Sequence, residues 1–169
     1  MAVPLYSPFI KRRDMDAVLT TLIADNLVPG SQAEELVGGL LPLFGCESGR
    51  ALREYARSIE LVLAALGLEQ GARIGLSALA PRVWLKAVEG AGLVPVLVDV
   101  HPSNPTINAA AVAAVHAESP LSALVAIHSL GYLADLRALL ELGIPVVEDM
   151  GQAFGHKAST FAAGSLGNF

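Results

Sequence analysis

With one cysteine, Cys46, in 169 residues, the chain has no pair to close an intrachain disulfide. That excludes a disulfide-stapled secreted scaffold and suits a reducing compartment, so the expected location is cytoplasmic. Charge is scarce, with 16% charged residues and a formal net charge of -5 free of long runs of either sign. No electrostatic footprint for nucleic acid or an anionic membrane follows from such a pattern. Apolar segments as long as the ~18 residues of a membrane span are absent, and the prolines in MAVPLYSPFIKRRD interrupt what a signal peptide would need as an apolar run. No membrane or nucleic-acid partner is expected. Several chemical signatures are missing too. There is no G-x-G-x-x-G turn for a dinucleotide, no P-loop, no G-x-S-x-G elbow and no closely spaced Cys/His set for zinc. His101, His116, His128 and His156 are scattered, and only His128 and His156 lie beyond predicted strand ends.

What is abundant is apolar sequence. Hydrophobic residues make up 53% of the chain, enough for one domain over 1–169 with a substantial core. Met15, Val18, Leu19, Leu22 and Ile23 recur at helical spacing after Asp14, a candidate cap, and predict a first helix ending near Asn26 and lying on a larger body. Leu36, Leu40, Leu43 and Phe44 predict a second, weakened by Gly38, Gly39 and Pro42. Leu52, Tyr55, Ile59, Leu63 and Leu66 predict a third over Arg50 to Leu66, with Arg53, Glu54, Arg57 and Glu60 on its solvated faces. After Gly71, short apolar runs alternate with helical patterns: RIGLSA, a helix over 81–90, VPVLVDV, a helix from about Asn108, a strand over 121–127, a helix through Leu133, Leu136, Leu139 and Leu140, and a strand over 144–147. Strand, helix, strand in succession predicts parallel pairing through right-handed crossovers, an α/β fold with a mainly parallel sheet in three layers.

The chemistry should gather at the end of IPVVEDMGQAFG. Ile144, Val146 and Val147 read as a strand buried on both faces, and Glu148 and Asp149 stand at its carboxyl end, where ligands collect in parallel sheets. A carboxylate withdrawn from water there must be paired or protonated. Capping of the following turn is the alternative role for both.

VPLYSPFIKRRDMDAVLTTLIADNLVPG, AGLVPVLVDV, AIHSLGYLADL, IPVVEDMGQAFG and GSLGNF, in that order, resemble the DegT/DnrJ/EryC1/StrS family of pyridoxal-phosphate (PLP) sugar aminotransferases. The likeness runs along nearly the whole chain but matches the first half of a full-length member. It implies part of a fold-type-I large domain and a role in nucleotide-sugar or polysaccharide biosynthesis. In that family the aspartate of E-D-x-x-Q meets the pyridine nitrogen of PLP and the glutamine meets the ring hydroxyl, which carries over to Asp149 and Gln152. His128 completes the expected cofactor-binding set: Asp149 should lie at the carboxyl end of a central strand, facing a concavity shared with Gln152 and near His128. A carboxylate in that place keeps the ring protonated and able to accept electrons.

Three departures accompany the matches. The small-residue turn that holds the phosphate is replaced in register by Glu54, Tyr55 and Ala56, poor partners for an anion. Pro81 replaces the aromatic that stacks on the ring, with Trp84 one helical turn on. The Schiff-base lysine falls beyond Phe169, and Lys11, Lys86 and Lys157 do not match it. The expectation is therefore a sugar-aminotransferase-like protein, incomplete and inactive alone, with no catalytic residue assigned. The alternative is a non-catalytic module of the same fold that oligomerises or binds a nucleotide-sugar-like ligand. A sheet left unfinished at Phe169 predicts a homo-oligomer, with Trp84, Phe154, Phe161 and Phe169 as candidate contacts.

Overall fold

A computed structural model describes residues 7–24, 30–157 and 163–168 of the chain. Three helices come first: α1 (Arg12–Ile23), α2 (Ser31–Phe44) and α3 (Tyr55–Ala65). Strands and helices then alternate as β1 (Arg73–Ser77), α4 (Arg82–Gly90), β2 (Val94–Val98), α5 (Ala109–Glu118), β3 (Ala123–Ile127), α6 (Leu136–Leu140) and β4 (Val146–Asp149). The pairings between these strands are parallel, and the sheet order is β2-β1-β3-β4. The predicted α/β architecture is the observed one.

Side chains alternate across the strands and so build two cores. Ile74, Leu76, Val125, Ile127 and Val147 face α3 and α4, where Ile59, Leu63, Trp84 and Val88 meet them. Val98, Leu124, Ala126, Ile144 and Val146 face α5 and α6, packing on Val112, Leu136 and Leu139. Gly75 sits in the middle of β1 because a side chain there would collide with Leu124: an added Cβ would lie 2.8 Å from its Cδ1. The leucine of the neighbouring strand fills the space that glycine leaves.

Several boundaries differ from the periodicity. Asp14 is not the cap of α1: Lys11 holds that position, and Asp14, three residues on, accepts its backbone N–H at 2.8 Å. The helix is assigned only to Ile23, and Asn26 lies outside the described residues. Its apolar stripe does not rest on a larger body, since Met15, Val18, Leu19, Leu22 and Ile23 are all more than half exposed and α1 buries no residue. Periodicity identifies a helix and its face, but not what covers that face. The third helix starts at Tyr55 and not at Arg50, with extended Glu54 as its cap residue. The final strand runs two residues further than its apolar run, so Glu148 and Asp149 are part of β4. The ladder accounts for this: Ala126 and Ile127 on β3 stand in register with Glu148 and Asp149. Among the described residues β4 is an edge strand of this sheet, not the central one expected. Along its free side, Asn168 donates its backbone N–H to the Val146 carbonyl at 2.8 Å and accepts the Val146 N–H on Oδ1 at 2.9 Å.

Candidate functional site

The carboxyl end of β4 sends its last two side chains to opposite faces of the sheet, and this alternation defines the site. Asp149 follows Val147 toward α3 and α4. Its Oδ2 accepts hydrogen bonds from the Tyr55 hydroxyl and, at 2.8 Å, from Trp84 Nε1, while Oδ1 accepts the Gly151 N–H at 3.0 Å. The indole N–H is shared, since the Tyr55 oxygen also lies 2.9 Å from it. Trp84 is 2% exposed, held there by its place on the buried face of α4. Tyr55, the first residue of α3, is partly open to solvent. Burial pushes its phenol well above the ordinary range, reinforced by the hydrogen bond to Asp149 and that group's negative charge, with the Trp84 bond acting in the opposite direction. It is a neutral donor.

Beside this cluster lies a cleft of about 540 Å³, lined mainly by apolar groups including Val62, Met150 and Phe154 together with Ser58. Phe154 is largely exposed and meets Phe44 of α2 edge to face, ring centres 5.8 Å apart. A separate hollow of about 450 Å³ between α3 and α4 carries Glu60 and Lys86 among small and apolar residues. None of the groups around Asp149 opens into it.

Glu148 follows Val146 to the other face, and there it meets His128. The imidazole is fully buried and the Glu148 side chain is 2% exposed. His128 Nδ1 receives the Ala134 backbone N–H at 2.9 Å, so the ring proton must sit on Nε2, which donates to Glu148 Oε1 at 2.8 Å. The same carboxylate accepts three backbone N–H groups, from Gly164 on Oε1 and from Leu166 and Gly167 on Oε2 at 3.1 and 2.8 Å. Burial alone would raise the Glu148 pKa. The bonds from His128, Gly164, Gly167 and Leu166 outweigh it and hold the group below its usual range.

The concavity expected to hold Asp149 and Gln152 near His128 resolves into separate places. Asp149 faces the cleft. Gln152 is exposed, and its Oε1 accepts the N–H of Leu130, a residue in the left-handed conformation at φ 54° within the turn over 129–131. His128 lies across the sheet from the Asp149 carboxylate and reaches that residue only through its backbone N–H, which donates to the Asp149 carbonyl at 2.9 Å. Spacing could not have revealed the link from Tyr55 and Trp84 to Asp149. A tyrosine at helical spacing reads as packing, and only the meeting of α3, α4 and β4 brings the three groups together.

The sequence pattern of the DegT/DnrJ/EryC1/StrS aminotransferase family matches residues 8–169. The chain belongs to this family. Among curated relatives, a UDP-4-amino-4-deoxy-L-arabinose–oxoglutarate aminotransferase of Shewanella sediminis is 27% identical over 169 residues, covering 98% of this chain and 43% of its own. A pleiotropic regulatory protein of Geobacillus stearothermophilus is 30% identical over 127 residues, covering 73% and 32%. Among solved structures, a putative sugar aminotransferase from Streptococcus pneumoniae in its PLP form superposes with a TM-score of 0.88 at 18% identity, covering 98% of this chain and 47% of that one. The Escherichia coli GDP-4-keto-6-deoxy-D-mannose-3-dehydratase with bound hydrated PLP gives 0.89 at 18%, covering 97% and 44%. The family member described here therefore spans less than half the length of these relatives, and its fold is theirs.

Family and neighbours are PLP proteins. The carboxylate oxygen that would receive a ring N–H is taken by Trp84 and Tyr55. The start of α3 carries the Glu54 carboxylate, which makes no capping bond, and Arg57 in the same turn is paired with Glu60. A phosphate there would face a like charge where the family offers small donors. In this arrangement the residues do not fit the cofactor.

Proposed function

We propose that this region, one domain over 1–169, descends from nucleotide-sugar or polysaccharide biosynthesis enzymes, works in the cytoplasm and does not itself transaminate. The observation that carries the reading is the engagement of Asp149 by two side chains of the chain itself. Of the expected site residues, Asp149 is the one facing the cleft, Gln152 steadies the neighbouring turn, and His128 supports the strand end from the far face. A nucleotide-sugar-like molecule is the ligand class that the relatives' names suggest.

Trp84 is the chain's one tryptophan, so its emission reports on this site alone. PLP absorbs where tryptophan emits, and a bound molecule beside Asp149 would quench it. Titration of the intact chain with PLP is expected to give only the linear loss due to absorption of light, and no heat in calorimetry. Saturable quenching with matching heat would overturn the reading.

We propose further that the chain associates with a second copy. The support is the uncovered apolar face of α1 together with Phe154, both exposed. Trp84 cannot serve as a contact, because burial at 2% exposed leaves it no free surface, and Phe161 and Phe169 lie outside the described residues. Light scattering after size exclusion should give a mass above 17.5 kDa that falls in Leu22→Glu. A monomer mass at every concentration would refute association.

A further inference from the structure

We infer that Trp84 is a built-in occupant of the place that the family gives to the cofactor ring, with its indole N–H standing in for the ring N–H on Asp149 and Tyr55 closing the cluster from the solvent side. This rests on the reading above that the site holds no cofactor. Three observations converge. Trp84 is a planar aromatic with one N–H, and that N–H is directed at the Asp149 oxygen at 2.8 Å. The ring is buried among Ile59, Val88 and Val147, so it is a fixed part of the core and not a side chain resting on the surface. Tyr55 adds a second neutral donor to the same oxygen and itself lies 2.9 Å from the indole nitrogen, so the carboxylate is satisfied without any cation. No Lys, Arg or His hydrogen-bonds to Asp149 or lines the cleft among the described residues.

The consequence is a change of role for Asp149. A carboxylate at the end of a strand would ordinarily need a bound cation or ring to offset its withdrawal from water. Here it joins α4 through Trp84, α3 through Tyr55 and the following turn through Gly151. Asp149 becomes a fastening between β4 and the two helices that cover it, and its carboxylate takes all its partners from this chain.

Chemical rescue tests this. In the intact chain carrying Trp84→Gly, the removed ring leaves a hollow facing Asp149. Indole, which has the same ring and the same N–H, should bind there and raise the thermal midpoint saturably. 1-Methylindole fills the same hollow but cannot donate, and should bind about tenfold more weakly, the ratio expected for loss of one hydrogen bond to a charged acceptor. Equal rescue by the two would show that Trp84 only fills space and would overturn the inference. It would leave the reading above standing, because that reading falls only if PLP binds to the wild-type chain. Should Trp84→Gly fail to fold, a thermal double-mutant cycle on Trp84→Phe, which keeps a ring and removes the N–H, and Asp149→Asn decides the matter. Non-additive losses are expected of groups joined in one cluster, and strict additivity would overturn it.

Discussion

Replacing Glu148 with alanine should cost about 3–5 kcal/mol and lower the thermal midpoint by roughly 10 °C, the largest effect expected of any single site substitution here. The substitution strips the acceptor from four donors at once: His128 Nε2–H and the backbone N–H groups of Gly164, Leu166 and Gly167. His128 cannot adapt by moving its proton, because the Ala134 N–H occupies Nδ1. Glu148→Gln should also be damaging. It retains the shape, but it turns an amide N–H₂ toward one of two pairs of donors. The group's depressed pKa fixes how this depends on pH. A carboxylate whose folded value lies below its unfolded value, ordinarily about 4.3, contributes all of its linkage stability above the unfolded value and loses it as pH falls through the folded one. The gap in stability between wild type and Glu148→Gln should therefore be widest near neutral pH and shrink on acidification below about 4. Differential scanning calorimetry across that range measures it. An alanine variant within about 1 kcal/mol of wild type would show that these bonds contribute little net stability.

The architecture was legible because it rests on signals that are local in sequence. Short apolar runs separated by helical patterns specify parallel pairing, and the three strand pairs of the sheet are parallel, while the order that sets β3 beside β1 is not written in that pattern. Asp149 could be singled out because an acidic residue after Val146 and Val147 has no reason of its own to stand in a buried strand. The division of labour between Glu148 and Asp149 was equally implicit in the alternation of a strand, which turns neighbours to opposite faces. The apolar run places both carboxylates at the strand's carboxyl end but stops at Val147, so it does not show that the ladder continues through them. Arg50 to Glu54 were read as helix for the opposite reason: Leu52 continues the apolar spacing of Ile59 and Leu63, yet it is 41% exposed and lies outside α3. What no pattern could supply was the identity of the partners. Tyr55 and Asp149 are 94 residues apart, and their contact depends on how α3 and α4 cross β4.

A valine at Gly164 should cost about 2–4 kcal/mol, and its effect should reach the cleft as well as the turn that carries it. Gly164 has φ +87°, a conformation that a β-branched residue adopts only under strain. An added Cβ would stand 2.5 Å from Met150 Sδ and 3.2 Å from Phe44 Cδ1. The methionine end can move, but Phe44 is held against Phe154, so the turn itself must shift. That shift withdraws the Gly164 N–H from Glu148 and displaces Met150, which lines the cleft beside Asp149. Two readouts separate these consequences. Thermal unfolding gives the total loss, and the emission of Trp84, buried on the far wall of the same cleft, should move or broaden as Met150 is pushed aside. Gly39→Val serves as the control, because an added Cβ in α2 meets nothing within 4 Å and should leave Trp84 emission unchanged. Loss of stability in Gly164→Val without any change at Trp84 would mean that the turn over 164–167 and the Asp149 cleft are mechanically independent. Loss in both would make Met150 the link through which the turn over 164–167 sets the geometry of the Asp149 cleft.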